Sequence, residues 1–165
     1  MTVSVRAYAP VRICDVGGWS DTWFAASGRV CNIAVNPGVR VEIHPHHAGT
    51  TVSIGTDAPC TVDEIRGNHP LIAVALAEIP LPSQHGWQVS ISTDMPPGCA
   101  TGTSAAVAVA LLSGLAAVHG QTLSPHQAAQ MAHMLETIRL GLQSGIQDQI
   151  GAAFGGINDI VITQY

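Results

Sequence analysis

The sequence predicts an α+β fold: a mostly antiparallel sheet covered by helices on one face. Strand-forming segments dominate the first half of the chain and helix-forming segments the second, an order that segregates the two element types into layers. The 165 residues are 47% hydrophobic and only 10% charged, enough apolar material for one domain with its own core and too much for a disordered chain. The third observation is the run Ala105 to Val118, apolar apart from Ser113. At fourteen residues it falls short of the ~20 that a membrane span needs, so it reads as a helix buried on all sides.

Taken in order, Val3 to Tyr8 alternates and is rich in β-formers, which predicts a strand. Pro10 is expected to interrupt it, with Val11 to Val16 resuming, and Gly17-Gly18 marks a turn. Val30 to Val35 and Val39 to Ile43 are expected as two strands around an Asn36-Pro37-Gly38 turn. Thr51 to Ile54 is a short strand, His69 to Glu78 a short helix, and Trp87 to Ser92 a strand with Val89 and Ile91 alternating. A helix runs from about Thr103 to Val118. Ser124-Pro125-His126-Gln127 has the serine cap, first-turn proline and glutamine of a capping box. The helix it starts carries Met131, Met134, Leu135, Ile138 and Leu142 at helical spacing, and the two methionines are expected in the core. Ser144-Gly145 ends it; a short helix over Gln147 to Ala153 and a strand over Ile157 to Ile162 follow. Trp23 and Trp87 are expected in the core.

Composition excludes several chemistries. All six basic residues are arginine, so a lysine-dependent phosphate loop, a protein-kinase site and Schiff-base catalysis are ruled out. The formal net charge of −5 argues against nucleic acid and anionic membrane as partners. No pair among Cys14, Cys31, Cys60 and Cys99 has redox or metal spacing, and the opening MTVSVRAYAP lacks a leader's apolar core. Both features point to reduced thiols in a cytoplasm.

The stretch PPGCATGTSAA, Pro96 to Ala106, empties a flexible loop into the buried helix. A helix N-terminus leaves backbone N–H groups unsatisfied and carries partial positive charge. Gly98 and Gly102 permit close backbone approach, and Thr103 and Ser104 add hydroxyls, which together describe an anion cradle that needs no lysine. On spacing alone the alternative is equally open: Thr103 or Ser104 simply caps a core helix.

Two further stretches bear on that choice: APVRICDVGGWSDTW, Ala9 to Trp23, and ETIRLGLQSGIQDQIGAAFGGIN, Glu136 to Asn158. With PPGCATGTSAA between them the chain resembles the GHMP kinases, and specifically their N-terminal half, over essentially its whole length. Within the family it looks most like the sugar-1-kinases. GGWSDT resembles the first motif of L-fucose kinases, and GIQDQIGAAFGG resembles a stretch of D-glycero-D-manno-heptose 7-phosphate kinases. The resemblance implies a two-layer fold shared with ribosomal proteins, ATP and Mg²⁺ as cofactors, and a sugar or sugar phosphate as substrate, phosphorylated at the anomeric hydroxyl. It places Pro97, Gly98, Cys99, Ala100, Thr101, Gly102, Thr103 and Ser104 in the loop around the ATP phosphates. Ser104 and Glu136 match the family's Mg²⁺ ligands. Asp148 matches the aspartate that takes the proton from the substrate hydroxyl, and Arg12 the arginine beside it that faces the developing phosphoryl charge. Asp21 matches a residue that hydrogen-bonds sugar hydroxyls, with Gly18 and Trp19 in the same turn. These types suit phosphoryl transfer, which is mostly positioning and charge neutralisation.

The family loop is usually Gly-Leu-Gly-Ser-Ser where this chain has Ala100-Thr101-Gly102-Thr103-Ser104. Ala100 puts a Cβ where the backbone often turns with positive φ, so either the loop bends differently or alanine is tolerated there. The family's C-terminal domain is not matched, so residues 1–165 are expected to be an N-terminal ATP-binding domain. Such a chain is expected to be a fragment or truncated product, binding nucleotide weakly and with little turnover unless a partner chain or missing domain completes it. Other readings stand beside these. Asp148 caps a helix, Glu136 is exposed and pairs with Arg139 or Arg40, or Arg12 pairs with Asp15 or Asp21. His44, His46 and His47 are expected to be exposed at a strand end rather than to bind metal. At the level of function the alternatives are a non-catalytic nucleotide- or sugar-binding remnant and a nucleic-acid-binding domain of the same fold, the latter opposed by the charge.

Overall fold

The structure, a computed structural model, describes residues 4–22, 24–96 and 98–163, with Asp15 described by its backbone alone. Val3, Trp23 and Pro97 therefore lie outside the described residues. Among the described residues, six strands and five α-helices follow the order β1 (Val5–Val16), β2 (Ser27–His46), β3 (Thr51–Ile54), β4 (Cys60–Thr61), α1 (Val62–Asn68), α2 (Pro70–Glu78), β5 (Gly86–Thr93), α3 (Thr103–Val118), α4 (Pro125–Met134), α5 (Gln147–Phe154) and β6 (Ile157–Thr163). A π-helical turn, Leu135–Arg139, extends α4.

The sheet runs β1-β2-β5-β3-β4, with β6 also paired to β2. The long β2 makes this possible. Its Val39–His46 half pairs with β5 and its Ser27–Ile33 half with β6, while β1 lines the opposite edge. Pairing is antiparallel except between β3 and β5. This is the expected α+β architecture.

Period-two alternation buries Val5, Ala9 and Val11 of β1, Val39, Val41 and Ile43 of β2, and Val89 and Ile91 of β5 on one face. The other face carries surface pairs such as Arg6 with Glu42 and Arg40 with Asp94. Helix α3 lies on the apolar face with ten of its residues buried, as an all-round apolar run requires. Its small side chains allow close approach: a methyl on Gly114 would lie 3.3 Å from Ile43 Cδ1. Leu111, Leu112 and Leu115 are fully enclosed, each contributing about 1.5–3 kcal/mol by burial. Trp87 is buried with its Nε1 donating to the Pro82 carbonyl, as expected of a core indole.

Three expectations are corrected. Pro10 does not interrupt β1, and Asn36-Pro37-Gly38 is not a turn between strands. Pro10 opposes Gly38 and Val11 opposes Val35, so Asn36 and Pro37 are extra residues absorbed as a bulge within one continuous β2. Pro10 fits because β1 is an edge strand, with no partner on its far side among the described residues. Gly38 is required there, since a Cβ would meet the Ala9 carbonyl oxygen at 2.3 Å. Second, the helix does not run to Leu142. It widens into the π-turn, and Met134, Ile138 and Leu142 are exposed, with only Met131 of the methionine pair packed against the core. Third, β4 and α1 were not expected; Thr61 and Glu64 form the capping box that starts α1. Among the described residues all four cysteines are free thiols and no helix is long and apolar enough to cross a membrane.

Candidate functional site

The loop before α3 bends through three left-handed residues: Gly98 at φ 79°, Ala100 at φ 53° and Gly102 at φ 69°. Alanine is thus accommodated in the left-handed region, which answers the open question about this loop, at a cost of about 1–2 kcal/mol. Gly102 is the N-cap residue and no side chain caps the helix, so neither Thr103 nor Ser104 does so. Thr101 Oγ1 and Thr103 Oγ1 are 3.2 Å apart, and Ser104 is exposed. Among the described residues no side chain caps the first-turn amides of α3, which lie at the positive end of a sixteen-residue helix.

Arg12, on β1, reaches across to this loop and to α5. Its Nε and Nη2 both donate to Asp148 Oδ1, at 2.8 and 2.5 Å, and its Nη1 donates to the Ala100 carbonyl at 2.9 Å. Its backbone N–H donates to the Thr101 carbonyl at 3.0 Å. Gly151 lets α5 sit this close to β1, since a methyl there would lie 3.0 Å from Arg12 Cβ. Asp148 Oδ2 has no hydrogen bond among the described residues. It faces the loop: a methyl on Gly102 would lie 3.2 Å from it. Asp148 is therefore an arginine-held carboxylate, and Arg12 does not pair with Asp21.

Asp21 is buried and turned to α5. Its Oδ2 accepts from the Gln147 backbone N–H at 2.9 Å, and its Oδ1 from Gln147 Nε2 at 3.1 Å. In effect a remote carboxylate satisfies the N-terminus of a helix that no local side chain caps. Gln147 Nε2 also donates to the Gly18 carbonyl at 2.7 Å. Trp19 stands out from this turn, 74% exposed.

Glu136 sits on the π-turn and is buried, not exposed as one alternative had it. Its Oε2 accepts from Ser144 Oγ at 2.7 Å and from Gln149 Nε2 at 2.8 Å. Arg139 pairs instead with Glu78, and Arg40 with Asp94. Nearby, burial holds the His133 pKa below the ordinary histidine value, against the opposing pull of Glu136, the Gly145 carbonyl and Asp21. His44 and His46 are partly exposed and His47 exposed at the end of β2, and the described residues hold no cluster of three or more metal-ligating side chains.

One cavity of about 420 Å³ gathers these parts. It is lined by Gly98, Cys99, Ala100, Thr101, Gly102, Thr103 and Ser104 of the loop and the start of α3, by Arg12 and Asp148, and by Trp19, Asp21 and Gln147. Gly18 lines the adjoining recess with Trp19 and Gln147. Glu136 does not line the cavity but lies one hydrogen bond behind Ser144, which does. Ser144 and Gln147 had no place in the sequence-based site. The Gln147 side chain has no periodicity or charge to mark it, and only its neighbour Asp148 does.

The donor set can be tested against a bound polyphosphate and a divalent cation. The uncapped amides of α3 and the glycine bends fit an anion. For a cation, the Ser104 hydroxyl is open to the cavity while Glu136 is engaged by two donors, so Ser104 fits directly and Glu136 only through a rearrangement at Ser144.

Residues 68–156 match the model of the GHMP kinases N terminal domain. Over 72 residues the chain is 38% identical to a mevalonate kinase of Thermococcus sibiricus, covering 44% of this chain and 22% of that one. It is 25% identical to the bifunctional fucokinase/GDP-fucose pyrophosphorylase of Arabidopsis thaliana, over 90% of this chain and 16% of that one. Among solved structures, a D-glycero-D-manno-heptose 1-phosphate kinase from Bacteroides thetaiotaomicron superposes with a TM-score of 0.79 at 26% identity. That match covers 98% of this chain and 57% of the heptose kinase. The chain thus spans little more than half of that solved relative and a smaller share of the two curated ones.

Proposed function

The chain belongs to the GHMP kinases N terminal domain family, and we propose that it supplies the nucleotide-facing half of an ATP-dependent kinase acting on a sugar or sugar phosphate at its anomeric hydroxyl. One observation carries the reading: the uncapped N-terminus of α3 and the free oxygen of an arginine-held aspartate meet on one cavity, with Gly102 against Asp148 Oδ2. The sugar class is supported by the near full-length likeness to the heptose kinase and the fucokinase.

In this reading the α3 amides and the loop from Pro97 to Thr103 hold the phosphates of ATP. The Ser104 hydroxyl would hold Mg²⁺, with Glu136 as a second ligand once released from Ser144; the ion's part is to neutralise phosphate oxygens. Gly18, Trp19 and Asp21 border the acceptor. Arg12 holds Asp148 by Oδ1 alone, which leaves Oδ2 as the acceptor for the hydroxyl proton. The acceptor oxygen bonds to the γ-phosphorus as the bond to the ADP oxygen breaks, and the proton passes to Asp148 Oδ2. The guanidinium, with Nη1 on the Ala100 carbonyl, keeps positive charge beside the loop as negative charge shifts. The local 38% identity to a mevalonate kinase favours a second reading, a branched hydroxy acid as acceptor at the same site.

The test is ATP·Mg²⁺ binding by calorimetry together with phosphoryl transfer to a panel of sugars, sugar phosphates and mevalonate by the complete kinase of which this chain is the proposed half. Asp148→Asn should lower transfer by ~10²-fold or more, as loss of a positioned base does, with nucleotide affinity nearly unchanged. A variant with near-normal rates would remove Asp148 as the base. Absence of ATP·Mg²⁺ binding by the unaltered chain would remove the kinase reading.

A further inference from the structure

Gln147 lines the cavity and ties the turn that carries Gly18 and Asp21 to the start of α5. Its backbone N–H and its side-chain Nε2 both donate to Asp21, Nε2 also donates to the Gly18 carbonyl, and its own carbonyl accepts from Asn32 Nδ2 at 2.7 Å. The next residue is Asp148, tied through Arg12 to the Ala100 carbonyl. A continuous set of contacts therefore runs from the Gly17–Thr22 turn to the loop ahead of α3. We infer that Gln147 is a positioning residue: its side-chain amide locks the Gly17–Thr22 turn to the start of α5, so that the turn and the Asp148 carboxylate keep a fixed separation. The assignment of that separation to acceptor and base rests on the kinase reading; the tether does not.

The amide's orientation is settled by its partners. Both atoms facing Nε2 are acceptors, a carbonyl and a carboxylate oxygen, so the group cannot be reversed. The consequence is that Oε1 is buried with no partner among the described residues. A side chain retained for packing alone would do better as an apolar residue of equal length, which leaves no buried acceptor unpaired. The two donors are what the position requires. Within the turn, the backbone bonds from Ser20 N–H to the Gly17 carbonyl and from Thr22 N–H to the Trp19 carbonyl provide amides that report on its rigidity.

The experiment compares the full chain with Gln147→Met and Gln147→Glu. Methionine keeps the length and removes both donors along with the orphan acceptor; glutamate removes the donors and faces Asp21 with a second carboxylate. Hydrogen exchange at the Ser20 and Thr22 amides should quicken at least tenfold in both variants, while exchange in α3 and in the β2–β5 ladder stays as in the parent for Gln147→Met. In the complete kinase of which this chain is the proposed half, with ATP·Mg²⁺ as donor and L-fucose, D-galactose or mevalonate as acceptor, the acceptor KM should rise at least tenfold and the ATP KM change less than twofold. Unchanged exchange at Ser20 and Thr22 in both variants overturns the tether. An equal rise in both KM values, or faster exchange throughout both variants, also overturns it by showing a merely structural role. A complete, unaltered protein that neither binds ATP·Mg²⁺ nor phosphorylates any of the three acceptors removes the kinase reading and leaves the exchange result to decide the tether.

Discussion

Removing Arg12 should cost far more than removing a surface arginine, and the structure sets the size of the effect. The Arg12 side chain is 13% exposed and that of Asp148 27%, so the pair is only partly wetted. Two donors converge on Asp148 Oδ1 and a third serves the Ala100 carbonyl. A hydrogen bond to a charged group is worth about 1.5–3 kcal/mol net, whereas an exposed ion pair contributes about 0.2–1 kcal/mol. Partial exposure places the Arg12–Asp148 coupling near 2 kcal/mol. Arg12→Met keeps the apolar stem and strands the carboxylate, for a loss of about 3 kcal/mol. Asp148→Asn costs less, because the amide oxygen still accepts from the guanidinium. The assay is urea unfolding of the parent, both single variants and the double variant at pH 7, read as a double-mutant cycle. With a urea dependence of about 1–3 kcal/mol/M, Arg12→Met should lower the midpoint by roughly 1–3 M. A coupling energy below about 0.5 kcal/mol would mean that solvent screens the pair as it does on the surface, and the argument for a fixed Oδ1 and a free Oδ2 would fall with it.

Ala100→Gly should stabilise the chain by about 0.5 kcal/mol, because relief of the left-handed alanine slightly exceeds the entropy glycine returns to the unfolded state; thermal unfolding would show it. Gly102→Ala should do the reverse, costing about 1 kcal/mol, and the new methyl at 3.2 Å from the Asp148 carboxylate should also weaken ATP·Mg²⁺ binding in calorimetry. His133 makes stability depend on pH. Burial lowers its folded pKa, so below the ordinary histidine value of 6.5 the unfolded chain binds more protons. The stability is then present above 6.5 and lost as pH falls through the folded value. His133→Gln in metal-free buffer should lose less stability than the parent between pH 7.5 and 5.5, and parallel losses in the two proteins would refute the assignment.

Local chemistry that the sequence carries on its face was readable in advance. The layer order, the buried α3, the Ser124 capping box and the loop into α3 all follow from periodicity, propensity and the dihedral freedom of glycine, properties of residues close together in the chain. The continuity of β2 was not readable, because Asn36-Pro37-Gly38 reads as a turn until the opposing β1 offers a ladder for the chain to rejoin. Nor were the roles of Gln147, Gln149 and Ser144, uncharged residues whose meaning comes from what lies opposite them.

The same division applies to the site. The residue types proposed to grip an anion and take up a proton, and the absence of lysine, were legible in the sequence alone. Which oxygen of Asp148 is held and which is free was decided only by the tertiary structure, as was the turning of Asp21 toward Gln147 and the burial of Glu136 behind Ser144. Composition determines which groups are present. Direction and solvent exposure arise only when residues more than a hundred positions apart, such as Arg12 and Asp148, are brought within hydrogen-bonding distance.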